Sequence, residues 1–355
     1  TFPTWNAYPS LFANLATGNA VVVKPHPNGI LPMAIAVQTC RKTLAALGFD
    51  PNLVTLAADE SSKPITHRLL NHPLTKIIDF TGNPSFGAWL EENHYRKLIY
   101  TETAGCNSVV IESTPNYSGM IQAIAQSLAL FSSQMCTSAQ NIFIPKTGIT
   151  SNGKHISFQE IVDDLVKTVD QMVAEPKAAA ALCGAVMSKR TIFEVNSLRD
   201  KARTHGQLYR DSKPYPHPDF PQAQTATPLI VGLDIDKSFL YRKEHFGPMS
   251  FIIASNSAEQ ALQQAAKDAQ ECGSISCYAY SQSPAFQDQI EETFFQAGSS
   301  VGINLIRHRP INFAAAYSDF HVTGLNPAGN ACLTDISFVA SRFRIVQSKR
   351  EQLQS

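Results

Sequence analysis

Charge is scarce in this chain. Only 16% of its 355 residues are Asp, Glu, Lys or Arg, and 29 of each sign cancel. No basic run is longer than three residues, so a nucleic-acid-binding surface has no electrostatic footprint. Long apolar runs are lacking too: no stretch reaches the ~18 residues that a membrane span needs, and no signal-peptide pattern is read at the start. The seven cysteines at 40, 106, 136, 183, 272, 277 and 332 form no C-x-x-C pair. An odd, scattered set argues for reduced thiols and a cytoplasmic location rather than a disulfide frame. The ten histidines show no H-E-x-x-H or other metal spacing, so no metal is expected. Position 1 is threonine rather than methionine, and the chain is read as a fragment of a longer protein.

What is present is enough apolar material, 44% of the chain, for two domains with substantial cores. Strand-like runs at 19–24, 52–57, 76–82 and 97–102 alternate with helical patterns at 11–16, 31–47, 64–70 and 84–93. Residues 1–9 are expected as a turn feeding the first helix. Gly48 reads as a C-cap, and Pro84 as the opening of a helix. The rhythm continues through a strand at 108–111, a helix at 118–131, a strand at 141–144 and a long helix at 157–174. Prolines 214, 216, 218, 221 and 228 make 201–228 loop-rich, because closely spaced prolines forbid regular structure. Strands then follow at 229–232, 250–254, 276–281 and 300–305, with helices at 258–269 and 285–297, and a terminal strand at 341–347. Continuous apolar runs, rather than strict alternation, predict a parallel sheet covered on both faces. Functional groups in such sheets belong at the carboxyl ends of strands, where Asn6, Lys24, Gly82 and Glu102 are expected.

The stretch around which these elements are organised is Phe131-Ser-Ser-Gln-Met-Cys136-Thr-Ser-Ala-Gln140. Met120, Ile121, Ile124, Leu128 and Phe131 have helical spacing, so Cys136 falls where a helix gives way to a loop and then a strand. Small polar neighbours surround it, unlike the branched aliphatics that wrap an inert thiol. Taken alone, a cysteine is more often packing than nucleophile, just as Asn6 is more often a helix cap and Lys24 a solvated strand end.

Together the residues carry a name. Trp5-Asn6, Ala16-Thr-Gly-Asn-Ala-Val-Val-Val-Lys24-Pro, Phe80-Thr-Gly82 with Gly87, Glu102-Thr-Ala-Gly105, Gln134-Met-Cys136 and Glu244-His-Phe246-Gly-Pro248 stand in the order of the aldehyde dehydrogenase superfamily. The chain resembles that family from residue 1 to about 350. Its opening Thr-Phe-Pro-Thr-Trp-Asn and its Lys-Pro-His-Pro most resemble the phenylacetic acid degradation protein PaaN branch. The resemblance implies an α/β aldehyde dehydrogenase-like fold. A parallel Rossmann-type cofactor sheet, here incomplete, would precede an α/β catalytic domain and a C-terminal oligomerisation strand. The implied spans are 1–104 for the partial dinucleotide-binding domain, 105–318 for the catalytic domain and 319–355 for the tail.

The resemblance also implies roles. Cys136 matches the nucleophile that attacks an aldehyde to give a thiohemiacetal and then a thioester. Asn6 and the Cys136 backbone N–H match the oxyanion hole, each such donor being typically worth ~3 kcal/mol. Glu102, 34 residues before Cys136, matches the base that activates water. Lys24, Gly82, Asn83, Glu244 and Phe246 match cofactor-binding positions, with Gly82 and Asn83 at a helix N-terminus suited to a pyrophosphate. The implied substrate is a small-molecule aldehyde, free or CoA-linked, such as the semialdehyde made on ring opening in phenylacetate degradation. A homodimer or larger homo-oligomer is implied by the tail strand. Two alternatives stand beside this: a CoA-acylating aldehyde dehydrogenase, and a truncated, non-catalytic fragment.

The chain departs from the family pattern in several places. Ala104 stands where a glycine is usual, Gly105-Cys106 replaces Gly-Lys, and Ser133 replaces a glycine near the motif glutamine. At position 27, where NAD-preferring members carry a carboxylate, this chain has Pro27. NADP or NAD is therefore the expected cofactor, with NADP at least tolerated.

Overall fold

The computed structural model describes residues 2–306, 311–313, 321–332 and 335–351. These fall into two compact units. The smaller comprises Phe2–Asp79, Leu90–Tyr100 and the described residues from 335 onward; the larger comprises Phe80–Trp89 and Thr101–Cys332. No helix among the described residues is long and apolar enough to cross a membrane.

The smaller unit opens with a helix at Pro3–Ala16, not with the expected turn. Pro3 sits near the helix start, where its fixed φ is pre-organised and its missing N–H costs nothing. Asn6 therefore lies inside a helix, its N–H bonded to Phe2 O at 3.0 Å, and is neither at a strand end nor an N-cap. Strand β1, Val21–Val23, pairs in parallel with β2, Val54–Leu56. Helix Ile30–Ala46 packs Met33 and Val37 with Leu11, Val23 and Val54. It ends where expected, at Gly48, whose φ of +81 suits glycine. The expected full burial of the first strand does not hold: Val22 is 56% exposed, because one strand partner and one packed face leave its other side open.

Strands β3, Ile77–Thr81, and β4, Leu98–Glu102, form a second pair, and helix Pro84–Asn93 lies between them in sequence as expected. In the larger unit come β5, Ser108–Ile111, β6, Asn141–Pro145, and a hairpin, β7 Ile149–Ser151 with β8 Lys154–Ile156, that the apolar pattern did not announce. Then follow β9, Gln207–Arg210, β10, Leu229–Asp234, β11, Met249–Ser255, β12, Ser276–Tyr280, and β13, Ser300–Ile303. Among the described residues these build a seven-stranded sheet in the order β13-β12-β5-β6-β11-β10-β9. All neighbours are parallel except β9, which is antiparallel at the edge. The loop-rich reading of 201–228 is thus too broad. Helix Lys189–His205 and β9 occupy its start, and irregular chain begins at 211, just before the prolines.

Period two sorts the buried side chains onto two faces. Val110, Phe143, Val231, Phe251 and Cys277 pack against helices Lys189–His205, Ala258–Cys272 and Pro284–Gln296. Val109, Ile142, Ile230, Ile252 and Tyr278 pack against helices Tyr117–Ala129 and Phe158–Met172. The expected parallel sheet with both faces covered is present.

Residues 341–347, expected as a strand, form none; helix Ile336–Ala340 precedes them. A strand exists only with a ladder partner, and within the described chain this segment has none. Arg342 is instead fully buried, its guanidinium bonded twice to Asp79 at 2.8 and 2.6 Å and lying over the rings of Tyr100 and Phe338.

Candidate active site

Cys136 is reached through an uncommon backbone turn. After helix Tyr117–Ala129, the residues Phe131, Ser132 and Ser133 take φ values of 51, 54 and 49°. Left-handed conformations cost L-residues roughly 1–2 kcal/mol each, so three in succession need support. Ser132 Oγ donates to Cys183 O at 3.1 Å, and Ser133 Oγ to Leu128 O at 2.8 Å. Gln134 Nε2 donates to Phe131 O and Ala185 O, while its Oε1 accepts from Met187 N. The glycine expected near this glutamine and replaced by Ser133 thus sits at a positive φ, which explains a glycine preference there.

Asn107 pins the next turn. Its Nδ2 donates to Cys136 O at 2.7 Å and Ser138 O at 3.0 Å, and its Oδ1 accepts from Ile275 N, Ser276 N and Ser274 Oγ. One buried amide therefore ties the amino ends of β5, β6 and β12 together. Gly105 lies beneath this knot; a Cβ there would come within 2.3 Å of Cys136 O and 3.0 Å of Glu244 Oε1. The side chain is excluded by close approach, not by φ.

Three functional atoms converge. His321 Nε2 is 3.4 Å from Cys136 Sγ and 3.1 Å from Glu102 Oε1, and sulfur, carboxylate and imidazole nitrogen lie within 4.8 Å of one another. Glu102 ends β4, and it and His321 are both buried. Burial, followed by the charge and hydrogen bond of Glu102 and the charge of Glu244, pushes the Cys136 thiol well above its usual range. Burial and the charge of Glu102 push Glu244 up to about 7. Glu244 is placed by Gln140, whose Nε2 donates to Tyr241 O and Lys243 O and whose Oε1 accepts from His245 N at 2.6 Å. Phe246 lies in the same loop, half-buried. The carboxyl-end rule holds for Glu102, Lys24 and Gly82 but not for Cys136 and Glu244, which precede β6 and β11 at the amino ends of the larger sheet.

The expected cofactor positions divide between the units. Gly82 donates its N–H to Glu102 O at 3.0 Å, and a Cβ on it would strike the Phe80 ring at 2.5 Å. Asn83 is a helix cap: its Oδ1 accepts from Phe86 N at 2.9 Å at the start of Pro84–Asn93. The ten-residue helix that opens here is the kind of N-terminus that suits an anion, although the Gly82 and Phe86 N–H groups are already bonded within the chain. In the smaller unit Lys24 follows β1 and pairs with Asp59 at 2.9 Å. Asn6 lies in helix Pro3–Ala16 of that unit, half-buried.

Sequence reasoning missed His321, Asn107 and Asp59. His321 stands 185 residues from Cys136 in irregular chain, with no motif around it. Asn107 directly follows the Gly105-Cys106 departure, where a buried amide inside an apolar run was the available signal. Asp59 lies in a polar turn that reads as solvent-exposed.

The sequence model of the aldehyde dehydrogenase family matches residues 1–304. A solved NAD-dependent aldehyde dehydrogenase from Burkholderia multivorans is 44% identical, with a TM-score of 0.91 over 98% of this chain and 62% of that one. N-succinylglutamate 5-semialdehyde dehydrogenase of Paraburkholderia xenovorans is 28% identical over 74% of this chain and 50% of its own length. 2-Aminomuconic semialdehyde dehydrogenase of Bos taurus is 25% identical over 74% of this chain and 52% of its own. The chain spans about half the length of these curated relatives.

Proposed function

The chain belongs to the aldehyde dehydrogenase family, and from that premise we propose that it oxidises an aldehyde to a carboxylic acid through a covalent Cys136 intermediate. The observation that carries this is the convergence of Cys136 Sγ and a Glu102 carboxylate oxygen within 4.8 Å, the glutamate buried and the cysteine half-buried. Cys136 sulfur attacks the aldehyde carbon to form a thiohemiacetal. The Cys136 N–H and, by resemblance, the Asn6 amide stabilise the oxyanion. A bound nicotinamide cofactor supplies the hydride acceptor. Lys24, Gly82, Asn83, Glu244 and Phe246 are the residues proposed to hold it, and the helix N-terminus at Asn83 supports that reading. Glu102 then activates water to release the acid from the thioester. A carboxylate poised beside the nucleophile favours hydrolysis over acyl transfer to CoA.

The substrate we propose is a semialdehyde, as in the names of both curated relatives, and more narrowly the ring-cleavage semialdehyde of phenylacetate degradation. The proposed domain division is 1–104, 105–318 and 319–355, with a cytoplasmic homo-oligomer as the working form. The test is an aldehyde panel with NAD and NADP, with and without free CoA, alongside peptide mass spectrometry for an acyl group on Cys136. Reduced cofactor that disappears in Cys136→Ala is the expected result. Turnover surviving in that variant, or turnover that requires CoA, overturns the reading.

A further inference from the structure

His321 occupies the centre of the cluster and has no part in the reaction as proposed. The residue is 4% exposed, and the same nitrogen, Nε2, stands 3.4 Å from Cys136 Sγ and 3.1 Å from Glu102 Oε1. The titratable groups that face this thiol among the described residues are Glu102 at the end of β4, Glu244 from the loop before β11, and His321 itself. Burial, and after it the two carboxylates, push the thiol well above its usual range. A nucleophile so placed needs a base at the moment of attack. The tautomer that serves has its proton on Nδ1, so that Nε2 accepts from the thiol; once protonated, Nε2–H donates to Glu102, whose charge stabilises the imidazolium.

We propose that His321 is a catalytic group: its Nε2 accepts the Cys136 proton, and Glu102 holds the imidazolium so formed. The S–H bond breaks and its electron pair stays on sulfur. Sulfur bonds to the aldehyde carbon, the C=O π pair moves to oxygen, and the proton rests on Nε2. The step consumes no oxidant. It leaves Glu102 ionised, and therefore available as the later base for water. The inference rests on Cys136 being the nucleophile.

The experiment is alkylation of the 355-residue chain by iodoacetamide without aldehyde or cofactor, followed at Cys136 by peptide mass spectrometry from pH 5.5 to 10. The wild-type rate shows a lower step that belongs to the imidazole, then climbs again toward pH 10 as the thiol begins to ionise. His321→Gln loses the lower step and slows at pH 7 by about a hundredfold, the low end for removal of a positioned base. Glu102→Gln keeps the lower step and moves it to lower pH, because the imidazolium has lost its carboxylate. His321→Asn repeats the first result, and thermal melts check that each variant is folded. A merely structural histidine would scale the rate at every pH and leave the shape alone; that outcome overturns the inference. So does loss of the lower step in Glu102→Gln with retention in His321→Gln. If wild-type Cys136 reacts no faster than the other cysteines at any pH, the nucleophile reading itself falls. Selective wild-type labelling with an unchanged His321→Gln profile removes only the role of His321.

Discussion

Lys24 and Asp59 form a 2.9 Å ion pair just beyond the carboxyl ends of two adjacent parallel strands, with the aspartate side chain almost fully buried. Burial acts against the charged carboxyl, but the hydrogen bonds from Lys24 and Ile65 N outweigh it and hold Asp59 below its usual range. A carboxylate therefore does stand beside this lysine, supplied by residue 59 rather than residue 27.

The cofactor prediction changes accordingly. Pro27 alone argues for NADP, whereas Asp59 repels a 2′-phosphate brought to Lys24. Asp59→Asn should weaken NAD binding and strengthen NADP binding, shifting the preference by about tenfold, the ~1.4 kcal/mol expected of one partly screened charge. Titration calorimetry with each cofactor measures it. An unchanged ratio removes Asp59 from the specificity argument.

Cys136 and Glu102 should separate kinetically. Cys136→Ala abolishes both reduced-cofactor formation and ester hydrolysis. Glu102→Gln keeps a burst of about one reduced cofactor per site while steady turnover falls by about 10²–10⁴. Stopped-flow absorbance distinguishes the two phases. Full turnover in Glu102→Gln would exclude Glu102 as the deacylating base.

Glu244, pushed up to about 7 by burial and Glu102, imposes a pH dependence on stability. The folded protein binds this proton more tightly than the unfolded chain does. Its contribution is therefore fully present at acid pH and is lost as pH rises through about 7. The loss amounts to about 1–3 kcal/mol. Glu244→Gln should flatten the fall in melting temperature between pH 5 and 8 relative to wild type. Parallel curves for the two proteins would contradict the shift.

Arg342 and Asp79 form an ion pair of which only the arginine is fully buried, so its two halves are not equivalent on deletion. Asp79 also accepts from Asn14 Nδ2 at 3.1 Å, and Arg342 O accepts from Asn19 Nδ2 at 2.9 Å. Asp79→Ala leaves a guanidinium with no exposed surface of its own and should cost less than the about 3–5 kcal/mol of breaking a fully buried pair, because the aspartate side is open to water. Arg342→Met keeps the apolar contact with Tyr100 and Phe338 and should cost less. Chemical denaturation of both variants orders them; equal losses would show that ring packing, not charge, dominates.

Elements were legible in the sequence wherever a local signal sufficed. The apolar runs of β5, β6 and β12 are short and continuous, and helix Pro84–Asn93 announces itself by Pro84, so their type and near-exact limits follow from steric propensity and burial. The motif around Cys136 and the strand end at Glu102 were equally legible, because a nucleophile on a loop and a base at a strand terminus are local arrangements. Other features depend on partners far away in the chain. The 341–347 segment has strand-like residues, but a ladder needs a neighbour that the sequence does not name. Asn107 gathers residues from 136 to 276 into one hydrogen-bonded knot, His321 meets Cys136 across 185 residues, and Asp59 reaches Lys24 only because β1 and β2 lie side by side. Propensity acts over a few residues, whereas charge and hydrogen bonding act over a few ångströms. The sequence by itself determined which groups were available for chemistry, and the tertiary structure alone decided which of them stand within hydrogen-bonding reach of one another.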